Sequence, residues 1–183
     1  MNIIAFFVGV GCQGNMPSSI TALRGCIFLE LNWNLIAGTL PRGLGDLDNL
    51  LILDLSSNLL TGKLDENSFL SLKKLEILNL SFNRYYSDLS FCFYTLFFNA
   101  SIFVLFFFIF RFEGEIPDVF ESYESLVELN LAGNKLTGEL PKSLTKARAL
   151  KKLKLYSNQL SGTIPETVRN WKMLKEVNLS QNQ

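Results

Sequence analysis

The sequence predicts an α/β solenoid, with a parallel β-sheet on a concave face and short helical or irregular segments on a convex face. Two columns and one pattern predict it. Asparagine recurs as Asn34, Asn58, Asn83, Asn134, Asn158 and Asn182, at spacings of 24, 25, 51, 24 and 24 residues. Proline recurs as Pro17, Pro41, Pro117, Pro141 and Pro165, which is every proline in the 183-residue chain. Ahead of the asparagines stands L-x-x-L-x-L, as in "LLILDLSSNLLTGKL" (50–64), "LVELNLAGNKLTGELP" (126–141) and "LKKLKLYSNQLSGTIP" (150–165).

Each element of the repeat has a physical task. L-x-x-L-x-L is a short strand whose alternate side chains point inward. Strands of successive repeats pair in parallel, about 4.8 Å apart. The Asn falls where the chain leaves the strand, and its amide can bond backbone groups that the turn leaves unpaired, so stacked copies form a ladder. The Gly supplies a backbone shape that a Cβ resists. The Pro ends pairing and stiffens the far side of the coil. One repeat cannot bury its own leucines, so neighbours must stack.

These motifs resemble the plant-type leucine-rich repeat, whose mark is the additional L-x-G-x-[IL]-P half present in "NLIAGTLP", "NKLTGELP" and "NQLSGTIP". The resemblance covers about residues 14–183, with one interruption. It implies a curved right-handed leucine-rich repeat solenoid. The boundaries expected from it are an apolar segment 1–13, repeats 14–84, an apolar insertion 85–111, and repeats 112–183 that stop mid-repeat. In "GKLDENSF" Asp65 replaces the Pro and one residue is extra, which predicts a local bulge within an unchanged fold. The apolar run Ile3–Val10 reads as a weak signal-peptide core, lacking basic residues before it and a small-x-small cleavage site, or as a misplaced start.

The insertion follows from arithmetic. The interval from Asn83 to Asn134 is 51, against a period of 24, so 27 residues are surplus. Removing Tyr85 to Arg111 rejoins "LNLSFNRFEGEIP", with Phe112 in the Leu position and Gly114 and Pro117 in theirs. Three readings compete. Residues 91–110 would span a bilayer as a helix, about 30 Å long, but that would cut one repeat in two. A ligand-binding island between repeats should carry polar surface and turn residues, whereas this stretch has neither Gly nor Pro, and Asp88 and Arg111 are its charged residues. A translated intron accounts for the Phe- and Tyr-rich, T-codon-rich composition. Arg84-Tyr85 can be written AGG-TAT and Phe110-Arg111 TTC-AGG, a donor-like and an acceptor-like junction in frame. The residues favour the third reading.

Composition excludes several function classes. Seventeen basic residues balance seventeen acidic ones, giving no electrostatic pointer to nucleic acid. There is no His, which removes the commonest general base and metal ligand. Cys12, Cys26 and Cys92 fit neither a zinc spacing nor a disulfide framework, and Cys26 falls on a core position. No cofactor and no catalytic set is expected, so the fragment reads as a non-enzyme.

Recognition would rest on the outward side chains of the concave sheet. The central column is Glu30, Asp54, Asn79, Asn130, Lys154 and Asn178; before it run Phe28, Ile52, Ile77, Glu128, Lys152 and Glu176; after it Asn32, Ser56, Ser81, Ala132, Tyr156 and Ser180. The face grades from apolar and acidic to basic at Lys151, Lys152 and Lys154. Phe28, Trp33 and Tyr156 are hot-spot candidates by residue type. Sequons stand at Asn79, Asn178 and, inside the insertion, Asn99.

The resemblance implies the peptide- or protein-binding part of a receptor-like kinase or receptor-like protein. It would be outside the cell, glycosylated, attached to a membrane only through parts beyond this stretch, and engaged in signalling, with a co-receptor as a further partner. Two alternatives stay open: a secreted leucine-rich inhibitor of a wall-degrading enzyme, and a truncated or intron-retaining product without function.

Overall fold

The computed structural model describes residues 3–83 and 111–183. Inward leucines at every second position, with turn residues every 24 or so, fold the chain into stacked coils carrying two parallel sheets. The concave sheet has seven strands, taken in spatial order: β1 (Ile3–Phe6), β3 (Cys26–Glu30), β5 (Ile52–Asp54), β7 (Ile77–Asn79), β9 (Glu128–Asn130), β11 (Lys152–Lys154) and β12 (Glu176–Asn178). A second sheet of five strands joins β2 (Gln13–Asn15), β4 (Leu35–Thr39), β6 (Leu59–Lys63), β8 (Phe112–Glu115) and β10 (Lys135–Thr137). Each coil thus adds one rung to the sheet beneath it.

The core is the stack of inward leucines. Leu29, Leu53, Leu78, Leu129 and Leu153 form one column, each at most 2% exposed. Burying each stabilises the coil by about 1.5–3 kcal/mol, and no coil could bury it alone. On the convex side the expected short helical segments are 3-10 turns of three to five residues, among them Ser18–Ala22, Lys142–Lys146 and Glu166–Asn170. So short a connection cannot hold the turns an α-helix needs, and the tighter 3-10 winding suits it. Pro17, Pro141 and Pro165 lead into these turns at φ of −70°, −62° and −61°. Asp65 takes φ −70° and ψ 130° before Glu66–Ser68, so it adopts the backbone of the missing proline. The extra residue of that coil is absorbed where its turn ends: the Leu70 N–H donates to the Glu66 carbonyl at 3.0 Å, and Phe69 turns into the core.

Across residues 84–110 no rung is missing. β7 on one side pairs directly with β9 on the other, Leu78 opposite Leu129 and Asn79 opposite Asn130. The Leu80 N–H donates to the Asn130 carbonyl at 3.0 Å and the Phe82 N–H to that of Ala132 at 2.8 Å. In the second sheet Gly62 faces Phe112 and Lys63 faces Glu113. Behind them the Tyr123 hydroxyl donates to the Phe69 carbonyl, as the Trp171 indole N–H does to that of Leu144 at 2.9 Å two coils later. The amide of Asn134 reaches the Leu80 carbonyl over 54 residues of chain, where that of Asn158 reaches Leu131 over 27. That difference is the surplus counted in the sequence. The stretch 85–110, with its membrane, island and intron readings, Cys92 and the Asn99 sequon, lies outside the described residues.

The boundary after residue 13 needs correction. Ile3–Phe6 is a strand of the concave sheet, Ile4 opposite Phe28 and Phe6 opposite Glu30, and Gln13–Asn15 is a strand of the second sheet. Residues 3–13 therefore belong to the first coil. The motif hid this, because Phe7 and Val10 stand where the next coil has Leu31 and Asn34. Strand pairing uses backbone groups and tolerates those substitutions at an edge.

Candidate functional site: the concave sheet

The ladder asparagines hold the sheet's exit edge. Asn58 donates from Nδ2 to the carbonyls of Leu55 at 3.2 Å and of Leu31, one coil back, at 2.8 Å, and its Oδ1 accepts the Ile36 N–H at 3.0 Å. Asn158 does the same with Leu155, Leu131 and Leu136, each at 3.0 Å. Asn34, Asn83, Asn134 and Asn182 repeat the scheme, Asn34 reaching back to the Phe7 carbonyl. One amide satisfies three or more backbone groups that the turn orphans.

The residue just before each of these asparagines is left-handed: Trp33, Ser57, Phe82, Gly133, Ser157 and Gln181, at φ between 52° and 70°. Five are not glycine, so each costs on the order of 1–2 kcal/mol of backbone strain that the ladder offsets. Gly133 has its own reason. A Cβ there would lie 2.5 Å from Cδ1 of Phe82, whose ring leans over it.

The outward columns are in register. Phe28, Ile52, Ile77, Glu128, Lys152 and Glu176 oppose one another in turn, and so do Glu30, Asp54, Asn79, Asn130, Lys154 and Asn178. Those on β3, β5 and β7 are half-buried. Asp54 and Asn79 build a bonded track between the rungs. The Ser56 N–H and hydroxyl donate to Asp54 Oδ1 at 2.9 and 2.6 Å, and Asn79 Nδ2 donates to Asp54 Oδ2 at 3.0 Å and to Ser56 Oγ at 3.2 Å. The Ser81 hydroxyl then donates to Asn79 Oδ1 at 2.7 Å. These side chains are pre-set, which lowers the ordering cost of any contact they make.

The gradient towards a basic C-terminal end needs correction. Lys152 pairs with Glu128 at 3.1 Å and Lys154 with Glu176 at 3.1 Å. Their charges are spent across neighbouring rungs, and the hydrogen bond and charge of Glu128 push the Lys152 ammonium up. Glu30 differs. Its carboxyl is pushed up by burial first and by the Asp54 carboxylate second.

Trp33 sits on the left-handed rim and not on the sheet face, 61% exposed. Tyr156 meets Phe82 edge-on, ring centroids 5.9 Å apart. Phe82 was missed by the sequence reading; its column looks variable, and only the shared left-handed turn shows that the rim is one surface. Asn32 adjoins Glu30, and its Oδ1 is sealed from solvent without a hydrogen-bond donor. Of the two described sequons, Asn79 is half-buried with Nδ2 bonded, while Asn178 is exposed. No group of three metal-ligating side chains occurs among the described residues, and none of their helices is long and apolar enough to cross a membrane.

A family model for the Leucine Rich Repeat matches residues 125–147 and 149–171. In solved structures the chain resembles the leucine-rich repeat ectodomain of the Arabidopsis thaliana membrane receptor kinase GASSHO1/SCHENGEN3, in complex with Casparian strip integrity factor 2. Identity is 27%, TM-score 0.77, over 94% of this chain and 17% of that one. It also resembles the Arabidopsis receptor kinase HAESA, in complex with the peptide hormone IDA and the co-receptor SERK1, at 30% identity and TM-score 0.77 over 94% and 24%. The chain carries leucine-rich repeats of the plant type. A plant ice-binding protein shares the fold at 25% identity and TM-score 0.74, over 98% of this chain and 49% of that one. No curated protein matches this leucine-rich repeat chain by sequence. The repeats here span 17% and 24% of the two receptor ectodomains, a short run of a longer kind of array.

Proposed function

We propose that this leucine-rich repeat chain binds a peptide or protein on its concave sheet, as part of a receptor-like kinase or receptor-like protein outside the cell. One observation carries it: seven parallel strands present in-register columns whose side chains change from rung to rung above an interior that does not change. A rigid scaffold with a variable outward face suits recognition. The two receptor ectodomains above, solved with a protein factor and a peptide hormone, support the same use of the fold. The repeat that works in this receptor joins Arg84 to Phe112, and residues 85–111 are foreign to it; the continuous rungs on either side support this.

The test is a screen of the full chain against short synthetic peptides, with Ile52→Ser and Ile77→Ser on the concave face and Lys142→Ser on a convex turn. Binding that the concave substitutions weaken and the convex one leaves intact is expected. Equal loss from both faces, or peptides that bind no variant differently, would sink the reading. The spliced transcript across the codons for Arg84 and Phe112 tests the junction separately.

A further inference from the structure

In the outward columns of the described sheet, Glu30 and Asp54 are carboxylates without a cationic partner. Glu30 and Asp54 stand opposite each other on neighbouring strands. Asp54 is held by Ser56 and Asn79, both neutral, and the Glu30 carboxylate has no hydrogen bond or ion pair to any described group. Like charges directly opposite on paired strands destabilise the pair. Elsewhere on the same face the lysines are matched by glutamates on adjacent rungs. Two residues before Glu30, Asp54 and Asn79 runs the column Phe28, Ile52 and Ile77, half-buried and apolar. Beside Glu30, Asn32 Oδ1 is a buried acceptor lacking a donor.

Resting on the peptide-binding reading above, we propose that the occupant of this half of the face is an extended segment carrying a basic side chain, its cation lying between Glu30 and Asp54 and a large apolar side chain on Phe28, Ile52 and Ile77. The spacing agrees. Residues i and i+2 of an extended chain project from one face about 7 Å apart, and the acidic and apolar columns are themselves two residues apart on each strand. An arginine guanidinium suits the pair best. It offers five donors in a plane, and it is hydrated more weakly than an ammonium. It would end the repulsion between the carboxylates and keep the Asp54 bonds to Ser56 and Asn79.

The experiment uses the full chain and three series of short synthetic peptides, matched except at one position two residues from a Leu or Phe. That position is Arg, citrulline or Glu. Arg peptides should bind best and Glu peptides worst, by about tenfold or more between the extremes. The preference should shrink as salt rises past about 0.15 M, where the screening length nears 8 Å. Glu30→Gln should remove most of the preference. The Glu30 side chain makes no bond that the change would break, and an unchanged circular dichroism spectrum with a melting temperature no lower than that of the parent checks that the fold persists. Glu30→Lys should turn the preference towards the Glu series, which loss of folding could not do. Equal binding by the three series, or a preference that Glu30→Gln leaves intact, overturns the proposal. If all series bind alike and Ile52→Ser weakens them, the cation assignment falls while the concave-face reading stands; if no series binds, both fall.

Discussion

The coils before residue 84 and those after residue 110 share an interior and differ on the concave face. Asn58 and Asn158 bond the same three classes of backbone group at 2.8 to 3.2 Å, and Leu53 and Leu153 are equally sealed. Outside, the first half sets Glu30 and Asp54 against each other beside an apolar column, while the second pairs Lys152 with Glu128 and Lys154 with Glu176. The interior must repeat because each coil is the floor of the next. The face carries no such requirement, so its charge can be balanced in one half and left open in the other.

That comparison can be broken at its strongest point first. Leu53→Ala and Leu153→Ala should each cost about 2–5 kcal/mol, and by similar amounts, in urea unfolding. A large inequality would show that the halves do not share one core. Asn58→Ala and Asn158→Ala come next. Each strands buried backbone groups and should cost about 2–3 kcal/mol, again as a matched pair.

Excising residues 85–111 bears on whether the halves are one array. A single cooperative unfolding transition that Leu53→Ala and Leu153→Ala both shift is expected. Two separate transitions would mean that each half unfolds by itself.

Smaller effects sharpen the contrast of the faces. The Phe82–Tyr156 contact, which ties the halves together over Gly133, should show a coupling of about 0.5–1.5 kcal/mol in a double-mutant cycle. Glu30→Gln should raise stability at neutral pH by under about 1 kcal/mol. The sign follows from the upward shift of its carboxyl. A raised folded value means that ionised Glu30 weakens the fold, so the gain should vanish as pH falls below the carboxylate range and Glu30 takes up its proton. Titration of the melting temperature of both proteins checks it, and a gain persisting in acid would count against a charge effect. Peptide mapping after secretion should find sugar on Asn178 and none on Asn79, whose amide nitrogen is bonded on the half-buried sheet. A glycan at Asn79 would block the middle of the proposed docking face.

Much of this was legible without coordinates. The asparagine interval of 51 against 24 already located the interruption, and the hydrogen bonds from Leu80 and Asn134 span the same surplus of 27 residues over their counterparts from Leu131 and Asn158. Other features were not legible for identifiable reasons. The first coil keeps strand pairing while losing the Leu and Asn that mark a repeat, because an edge strand needs backbone partners more than it needs those side chains. Lysines at 152 and 154 looked like a basic patch because a one-dimensional reading does not show that they face acids on neighbouring rungs. Phe82 was invisible as a contact because its partner lies two coils away.

The sequence by itself determined the coil, the period, the buried leucine and asparagine columns, and the place where the period fails. Those are local and repetitive demands, met by the same residues at the same offsets. Only the tertiary structure decided which charges are matched, which rim residues form one surface, and that the rungs on either side of residues 84–110 stack without a gap. These depend on distances between coils, and stacking brings side chains some 24 residues or more apart to neighbouring strands about 4.8 Å from each other.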